Sequence, residues 1–303
     1  MLLRVIHETA YDYVPPVKTA QHMAHLKPLH NDQQQVLSHR LTISPAPAQQ
    51  TETTDVYGNT RAFFSLSGAH EELSVVADSV VSTRVPETPG QSMAWETARE
   101  RMRYHRRAAW DPASEFVFAS PYVPRHDNFL DYARPSFSAG RPMWEAAWEL
   151  MSRIHADFAY ETEATDSSTP ALEAFKMRKV VCQDFAHILL GCLRSLGLPA
   201  RYVSGYLLTE PPPGQARLVG SDASHAWVSV YLPGTGSRDG GWADLDPTND
   251  RMPGEDYVRL ATGRDYSDVS PMRGVIHGGA NHTLKVGVTV TPVETAASAA
   301  PVP

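Results

Sequence analysis

Cysteine is scarce in this chain, with only Cys182 and Cys192 among 303 residues. Both fall in one predicted helix, ten positions apart, a rise of about 15 Å that no disulfide can span. So few thiols indicate a reducing compartment, and we expect a cytoplasmic protein. The N-terminus lacks an apolar core of signal-peptide length, and no hydrophobic run is long enough to predict a membrane span.

Several recognition patterns are also missing. The formal net charge is −7, and no basic cluster is large enough to indicate a nucleic-acid surface. The chain has no histidine pair with zinc-site spacing and an accompanying carboxylate, no paired-cysteine motif, no phosphate-binding glycine loop and no dinucleotide fingerprint. We therefore expect no metal and no cofactor, and the ordinary composition predicts a globular protein.

Hydrophobic periodicity divides the chain into four parts. Residues 1–85 alternate apolar and polar side chains in short runs, which predicts a small antiparallel β-sandwich. Residues 86–141 are broken by prolines but rich in aromatics, which predicts an ordered connector with one helix over 92–107. Residues 142–270 form the predicted core of the chain, and 271–303 form a final strand with a fraying tail after Thr291.

The predicted core mixes helices and strands, so the fold class is α+β. Apolar residues at helical spacing predict helices over 142–158 and 181–196, the second closed by Gly197 and Pro199. Trp144 and Trp148 belong to the predicted buried face of the first helix. Three strands are predicted at 201–208, 225–232 and 242–246.

A thiol, an imidazole and a carboxylate stand at the ends of these elements. Cys182 begins a helix, where unpaired N–H groups and the helix dipole favour the thiolate. His225 begins a strand and Asp246 ends the next, and a hairpin that pairs Leu232 with Trp242 puts them within about three positions of facing each other. Such a trio suits acyl transfer through a thioester.

Other interpretations stay open for single residues of this region. Cys182 shares a helix face with Phe185 and could be a small buried hydrophobe, as Cys192 is expected to be. Asp184 is expected to cap or orient rather than react. His187 lies about 140° around the helix from Cys182 and is expected to pack rather than to act as its base.

Six runs together resemble the bacterial transglutaminase-like proteins. The resemblance extends over nearly the whole chain and includes both the core and the β domain that precedes it. One departure is Val180, where the family often has glycine two positions before the cysteine. The matching runs are HETAYDY (7–13), DVYGN (55–59), VCQDFAH (181–187), RSLGLPARYVSGY (194–206), ASHAW (223–227) and DPTN (246–249).

The resemblance implies a papain-like core in which Cys182 is the nucleophile, His225 the base and Asp246 the residue that orients it. The substrate would be an amide of a protein or peptide. The acyl acceptor would be water, as in a peptidase, or an amine, as in a transglutaminase. The same fold also serves catalytically silent binding modules, and a metal-dependent hydrolase is a third, weaker hypothesis. The sequence does not predict the oligomeric state.

Substrate contacts are expected beside the nucleophile. The backbone N–H of Cys182 and the hydroxyl of Tyr160 are candidate oxyanion donors, and Gln183 and Trp227 are candidate substrate contacts. The neighbouring loops 209–221 and 233–241 are rich in proline, glycine and polar residues, which indicates an open cleft and favours water. Trp227 and Trp242 are the side chains that could wall a tunnel for an amine.

Overall fold

The structure, a computed structural model, describes residues 1–106, 109–162, 164–209, 224–235, 240–279 and 281–293. Within them, the strands form two large antiparallel sheets, and most helices gather beside the second sheet. The predicted α+β class is confirmed. The predicted loop residues 210–221 and 236–239, and the expected fraying from 294 onward, lie outside the described residues.

Five strands lie in the N-terminal β region. The first is 23 residues long, and its side chains alternate between buried and exposed because one face covers the core. It pairs with the fifth strand along its first half and with the fourth along its second. The strands are β1 (Leu2–Ala24), β2 (Gln34–Ser44), β3 (Gln49–Thr54), β4 (Thr60–Leu66) and β5 (His70–Thr83).

The connector is ordered and packs on the core. Its helix α1 (Trp95–Met102) is shorter than the predicted 92–107, because Arg103 turns to extended backbone, and position 107 lies outside the described residues. A short helix α2 (Asp127–Ala133) follows, flanked by 3-10 turns at Pro112–Val117 and Arg134–Ser136. Phe129 and Phe137 are buried in the main core cluster, which accounts for the aromatic content of this segment.

The helix that begins at Cys182 is central to the core. It contacts three other helices and three strands, and its apolar residues are fully buried. Both predicted core helices agree with the structure to within one residue at each end, and Gly197 has the expected left-handed backbone, with φ +80°. Trp148 departs from the prediction because it is 36% exposed. The elements are α3 (Met143–Asp157), β6 (Ala159–Tyr160), α4 (Ala171–Met177), β7 (Lys179–Val180) and α5 (Cys182–Ser195).

A four-stranded sheet packs against α5. The three predicted strands form it together with a fourth, Tyr257–Gly263, which the sequence analysis missed because both of its faces are largely buried and its side chains do not alternate. The order across the sheet is β10-β9-β8-β11. The strands are β8 (Ala200–Leu207), β9 (Ser224–Tyr231), β10 (Trp242–Leu245) and β11 (Tyr257–Gly263), followed by helix α6 (Tyr266–Val269).

The last two strands return to the first sheet. Strands β12 (Met272–Gly278) and β13 (Asn281–Pro292) both pair with β1, so the N-terminal sheet recruits residues from beyond 270 and is not confined to 1–85. The two sheets meet at a shared apolar cluster that includes Leu3 and Val290 from one side and Tyr206 and Leu260 from the other.

Candidate active site

The backbone around Cys182 is held by a strand and by a carboxylate. Strand β7 pairs Val180 with Tyr160 of β6, and Val180 is fully buried, which accounts for an apolar residue where the family often has glycine. The Asp184 carboxylate accepts the N–H of Val181 at 3.1 Å and the Thr165 hydroxyl at 2.5 Å. As expected, Asp184 caps the helix. Cys182 is half-buried at the first position of α5, where helix N–H groups lack intrahelical partners.

The hairpin of β9 and β10 brings His225 and Asp246 together. The observed register pairs Trp242 with Tyr231, one residue from the predicted partner Leu232. The ring N–H at Nε2 of His225 donates to Oδ2 of Asp246 at 2.7 Å. This contact leaves Nδ1 as the ring nitrogen available to the Cys182 side chain, which lies close enough to raise the pKa of the same imidazole.

The electrostatics of the imidazole favour its charged form. Burial of His225 opposes protonation, but the hydrogen bonds and charges of Asp246 and Cys182 outweigh it and raise the pKa of His225 to about 10. The imidazole therefore carries a proton at neutral pH, in contact with the Asp246 carboxylate and near the Cys182 side chain. A protonated imidazole beside a sulfur stabilises the thiolate, which is the nucleophilic form of cysteine.

Asp246 is fully buried and surrounded by donors. Its Oδ1 accepts the backbone N–H groups of Thr248 at 2.9 Å and Asn249 at 3.3 Å. Its Oδ2 accepts Nδ2 of Asn249 and the hydroxyl of Tyr257, each at 2.7 Å, in addition to the imidazole. Burial alone would raise the pKa of Asp246, but these partners, His225 foremost, lower it below its ordinary value. The carboxylate stays ionised and fixed in orientation.

Tyr257 is the functional candidate that the sequence analysis missed. Its hydroxyl donates to Asp246, it also accepts from Arg251 Nε at 3.1 Å, and its ring centroid lies 5.9 Å from that of His225. It stands eleven positions after the aspartate in a strand that periodicity did not reveal. No local pattern indicates such a contact, because it depends on how β11 lies beside β8.

Trp227 is placed differently from the prediction. The indole is fully buried, and its Nε1 donates to Asp244 at 2.8 Å, so Trp227 is not available as a substrate contact. Its ring lies 6.1 Å from the His225 ring and packs closely on Gly205, where a Cβ would come within 2.4 Å of it. Trp227 is therefore a support beneath the imidazole. Trp242 lies at the opposite end of the hairpin from His225, so neither tryptophan walls a tunnel at the thiol.

The two other predicted contacts lie near the thiol. Tyr160 is 53% exposed, and burial, followed by the nearby Cys182 charge, raises the pKa of its phenol. Gln183 is nearly buried, and its Nε2 donates to the backbone carbonyl of Ser167 at 3.3 Å, which ties the preceding loop to the helix. The Tyr160 phenol therefore lies near enough to Cys182 for the charge of that residue to act on it, whereas the Gln183 amide is engaged within the protein.

The remaining thiol and the neighbouring histidine are interior residues. Cys192 is fully buried in the main core cluster, and burial raises the pKa of its thiol. His187 is fully buried between the rings of Tyr122 and Tyr202, and burial lowers the pKa of its imidazole to about 4. Both agree with the packing roles expected for them.

Neither a metal centre nor a membrane span is found in the part of the chain that the structure describes. There, no group of three or more histidine, cysteine or acidic side chains is arranged to hold a metal ion. No helix among the same residues has the length and apolar character needed to cross a membrane.

The fold and this constellation define a class: an α+β protein with a papain-like, transglutaminase-like core behind an N-terminal β region. Two family models match the chain. Residues 3–82 match the bacterial transglutaminase-like N-terminal region, and residues 131–247 match the transglutaminase-like superfamily. The chain belongs to the bacterial transglutaminase-like family, which confirms the resemblance drawn from its motifs.

Relatives and solved structures agree with this assignment. An uncharacterized Mycobacterium tuberculosis protein is 40% identical over 297 residues, 96% of this chain and 93% of that protein. A Pseudomonas aeruginosa protein-glutamine gamma-glutamyltransferase is 32% identical over 165 residues, 49% of this chain but 24% of that protein. The structure of a candidate cysteine protease from Cytophaga hutchinsonii superposes with a TM-score of 0.73 at 20% identity, covering 97% of this chain and 91% of that one, and so shares the fold.

Proposed function

We propose that the chain is a cysteine enzyme that transfers the acyl group of a protein or peptide amide through Cys182, His225 and Asp246. The observation that carries the proposal is the environment of one imidazole, which donates to Asp246 Oδ2 at 2.7 Å and has its pKa raised by both Asp246 and the Cys182 side chain. Each residue comes from a different element, so the arrangement depends on the tertiary fold. A bacterial transglutaminase-like chain with this geometry is suited to thioester chemistry.

The reaction begins with attack of the Cys182 thiolate on the amide carbonyl carbon. As the tetrahedral intermediate collapses, the C–N bond breaks, and the His225 imidazolium gives its proton to the departing amine. The product of this half-reaction is a thioester at Cys182 and a neutral imidazole. Water or an amine then attacks the thioester while His225 takes up a proton, and collapse releases the thiolate. Asp246 holds the ring orientation throughout and stays ionised.

The developing oxyanion needs hydrogen-bond donors. The backbone N–H of Cys182 is at a helix N-terminus, and the exposed Tyr160 hydroxyl lies close enough for the charge of Cys182 to influence its pKa. We assign these two groups to the oxyanion site. The backbone donor at the start of α5 and the side-chain donor on β6 would face the same carbonyl oxygen.

Water is the acceptor that we favour over an amine. A tunnel that admits lysine and excludes water is needed for efficient cross-linking, but of the candidate walls Trp227 is fully buried beneath the imidazole and Trp242 lies at the other end of the hairpin. The named activity of the Pseudomonas relative makes the amine a necessary comparison. The predicted compartment is the cytoplasm, since a reactive thiol persists best where reductants are abundant.

A labelling experiment separates the acceptors and tests the nucleophile. A glutamine-containing protein is incubated with the enzyme and a fluorescent primary amine, and incorporation, deamidation and peptide cleavage are measured by mass spectrometry. We expect hydrolytic products to exceed amine incorporation, Cys182→Ala to abolish both, and Cys192→Ala to leave both near wild type. Robust Cys182-dependent incorporation that outpaces hydrolysis would reverse the acceptor preference.

The alternative is a catalytically silent module that keeps the fold to bind a partner. It predicts that Cys182 reacts with a thiol alkylator no faster than an ordinary exposed cysteine. The enzyme hypothesis predicts rapid alkylation of Cys182 at neutral pH, with Cys192 unlabelled because it is fully buried. Slow labelling of Cys182 in folded protein would favour the binding module.

A further inference from the structure

One edge of the core sheet is covered by side chains rather than by another strand. Among the residues that the structure describes, strand β11 pairs with β8 on one side only, with a register irregularity between Arg259 and Ala261. Backbone N–H and C=O groups on the other side of such a strand need partners when they are buried. In the described residues, those partners come from the N-terminal β region.

Two amide side chains supply most of these partners. Gln34 accepts the Arg259 N–H at 2.8 Å and donates to the Arg259 carbonyl at 2.6 Å. Asn59 accepts the Thr262 N–H at 2.8 Å and donates to the Thr262 carbonyl at 2.7 Å. Each amide therefore pairs with both polar groups of one backbone residue, as a neighbouring strand would. We call Gln34 and Asn59 the amide clamp.

The amide clamp is buried and held from behind. Gln34 is 2% exposed and Asn59 is fully buried, so water does not compete for these bonds. The Asp55 carboxylate accepts both the backbone N–H and the side-chain Nδ2 of Asn59 at 2.9 Å. The Leu29 N–H adds a bond to the Arg259 carbonyl at 3.1 Å. The N-terminal region thus fixes the position of β11 through oriented polar contacts.

The strand so held carries two side chains that reach the site. Tyr257 donates to Oδ2 of Asp246 at 2.7 Å. Arg259 Nε donates to Asp244 Oδ2 at 2.9 Å, and the same oxygen accepts the indole N–H of Trp227, the support beneath His225. Two short polar links therefore run from the clamped strand to the groups around the imidazole.

We propose that the N-terminal β region is a positioning element of the active site, and that Gln34 and Asn59 are positioning residues that act through β11 and Tyr257 on the Asp246–His225 pair. The proposal rests on the proposed function of that pair. Without the amide clamp, the edge of β11 would move to find other partners, and the Tyr257 hydroxyl would leave its contact with Asp246. The carboxylate would then hold the imidazolium with one donor fewer on Oδ2.

Isosteric substitutions test the clamp with little change in shape. Gln34→Glu and Asn59→Asp keep an acceptor for the backbone N–H but set a carboxylate oxygen against the backbone carbonyl. Gln50→Glu is the matched control, since Gln50 is exposed on β3 and adds the same charge to the same sheet. All variants carry Cys192→Ala, so that alkylation reports on Cys182 alone, and are assayed below their measured unfolding temperatures.

The readout is the pH profile of Cys182 alkylation by iodoacetate, an anionic reagent that reacts fastest while the imidazolium carries its charge. The alkaline limb of this profile is the fall in rate at high pH, where the His225 imidazolium loses its proton. Tyr257→Phe removes a donor that competes with His225 for Oδ2 of Asp246, so the pH of this limb should rise by about half a unit. Each clamp variant should move the limb in the same direction, Gln50→Glu should not, and adding a clamp substitution to Tyr257→Phe should give no further change.

The outcomes distinguish a positioning role from a merely structural one. Clamp variants that lower the unfolding temperature but leave the limb unchanged would overturn the proposal, as would an equal shift with and without the Tyr257 hydroxyl. A wild-type Cys182 with no enhanced reactivity would instead be evidence against the proposed catalytic function, before any clamp variant is compared.

Discussion

Replacement of Asp246 by asparagine is the sharpest perturbation of the proposed triad. The pKa of His225 is about 10 against an ordinary value of 6.5, which corresponds to about 5 kcal/mol of preference for the imidazolium. Asp246 and Cys182 share this preference, and burial works against it. If Asp246→Asn removes half of it, the pKa of His225 falls to about 8 or below.

The Asp246→Asn substitution should change the alkylation profile, the acyl-transfer rate and the stability of the protein. The alkaline limb of iodoacetate alkylation at Cys182 should move from near 10 to about 8 or below, because a neutral amide no longer stabilises the imidazolium. Any acyl-transfer activity should fall by about 10³–10⁴-fold, since the ring loses its fixed tautomer and orientation. The protein should also lose about 1–3 kcal/mol of unfolding free energy, because donors around Oδ2 are left without a charged acceptor.

A matched variant lies four residues further along the chain. Asp250 is exposed and its Oδ1 accepts the Ser152 hydroxyl at 2.6 Å, away from the imidazole. Its backbone has φ +50°, which asparagine tolerates. Asp250→Asn removes the same charge and should leave the alkylation profile unchanged. A limb that stays near 10 in Asp246→Asn, or moves equally in both variants, would refute the assignment of Asp246.

Three further predictions follow from particular contacts. Tyr160→Phe should reduce acyl transfer by about 10²-fold without slowing alkylation of the thiol, because only the acyl reaction forms an oxyanion; equal loss of both rates would show a general disturbance of the site. Gly205→Ala should cost about 1–3 kcal/mol of unfolding free energy by denaturant titration, since the new Cβ would lie 2.4 Å from the Trp227 ring; wild-type stability would contradict the packing. Burial lowers the pKa of both His7 and His187 to about 4, so as the pH falls the unfolded chain takes up these protons before the folded protein does. The free energy of unfolding should therefore fall from pH 6.5 towards 4 by up to about 3 kcal/mol per residue. Urea midpoints that stay level over this range would exclude this pH dependence.

Local patterns in the sequence were sufficient for the elements that carry the proposed triad. Gly197 and Pro199 mark the end of α5, and its apolar stripe marks its length, so Cys182 could be placed at a helix N-terminus. A short hairpin constrains which residues face each other, so its predicted strand pairing placed His225 near Asp246. The predicted partner of Trp242 differs by one residue from the observed partner. Both cases depend on neighbours close in the chain, for which periodicity and turn chemistry carry the information.

The surroundings of these residues depend on the tertiary fold. Trp227 lies in a strand with alternating side chains and was predicted to contact the substrate or line a tunnel, but the surrounding structure buries it completely. Tyr257 and the amide clamp depend on β11, which lacks an alternating pattern because both of its faces are covered. The pairing of β1 with β12 and β13 joins residues that are 248 (Ala24 and Met272) to 289 (Leu3 and Pro292) positions apart, and the contact of Asn59 with Thr262 spans 203. Contacts at such separations arise from the packing of whole sheets, and local sequence patterns cannot specify them.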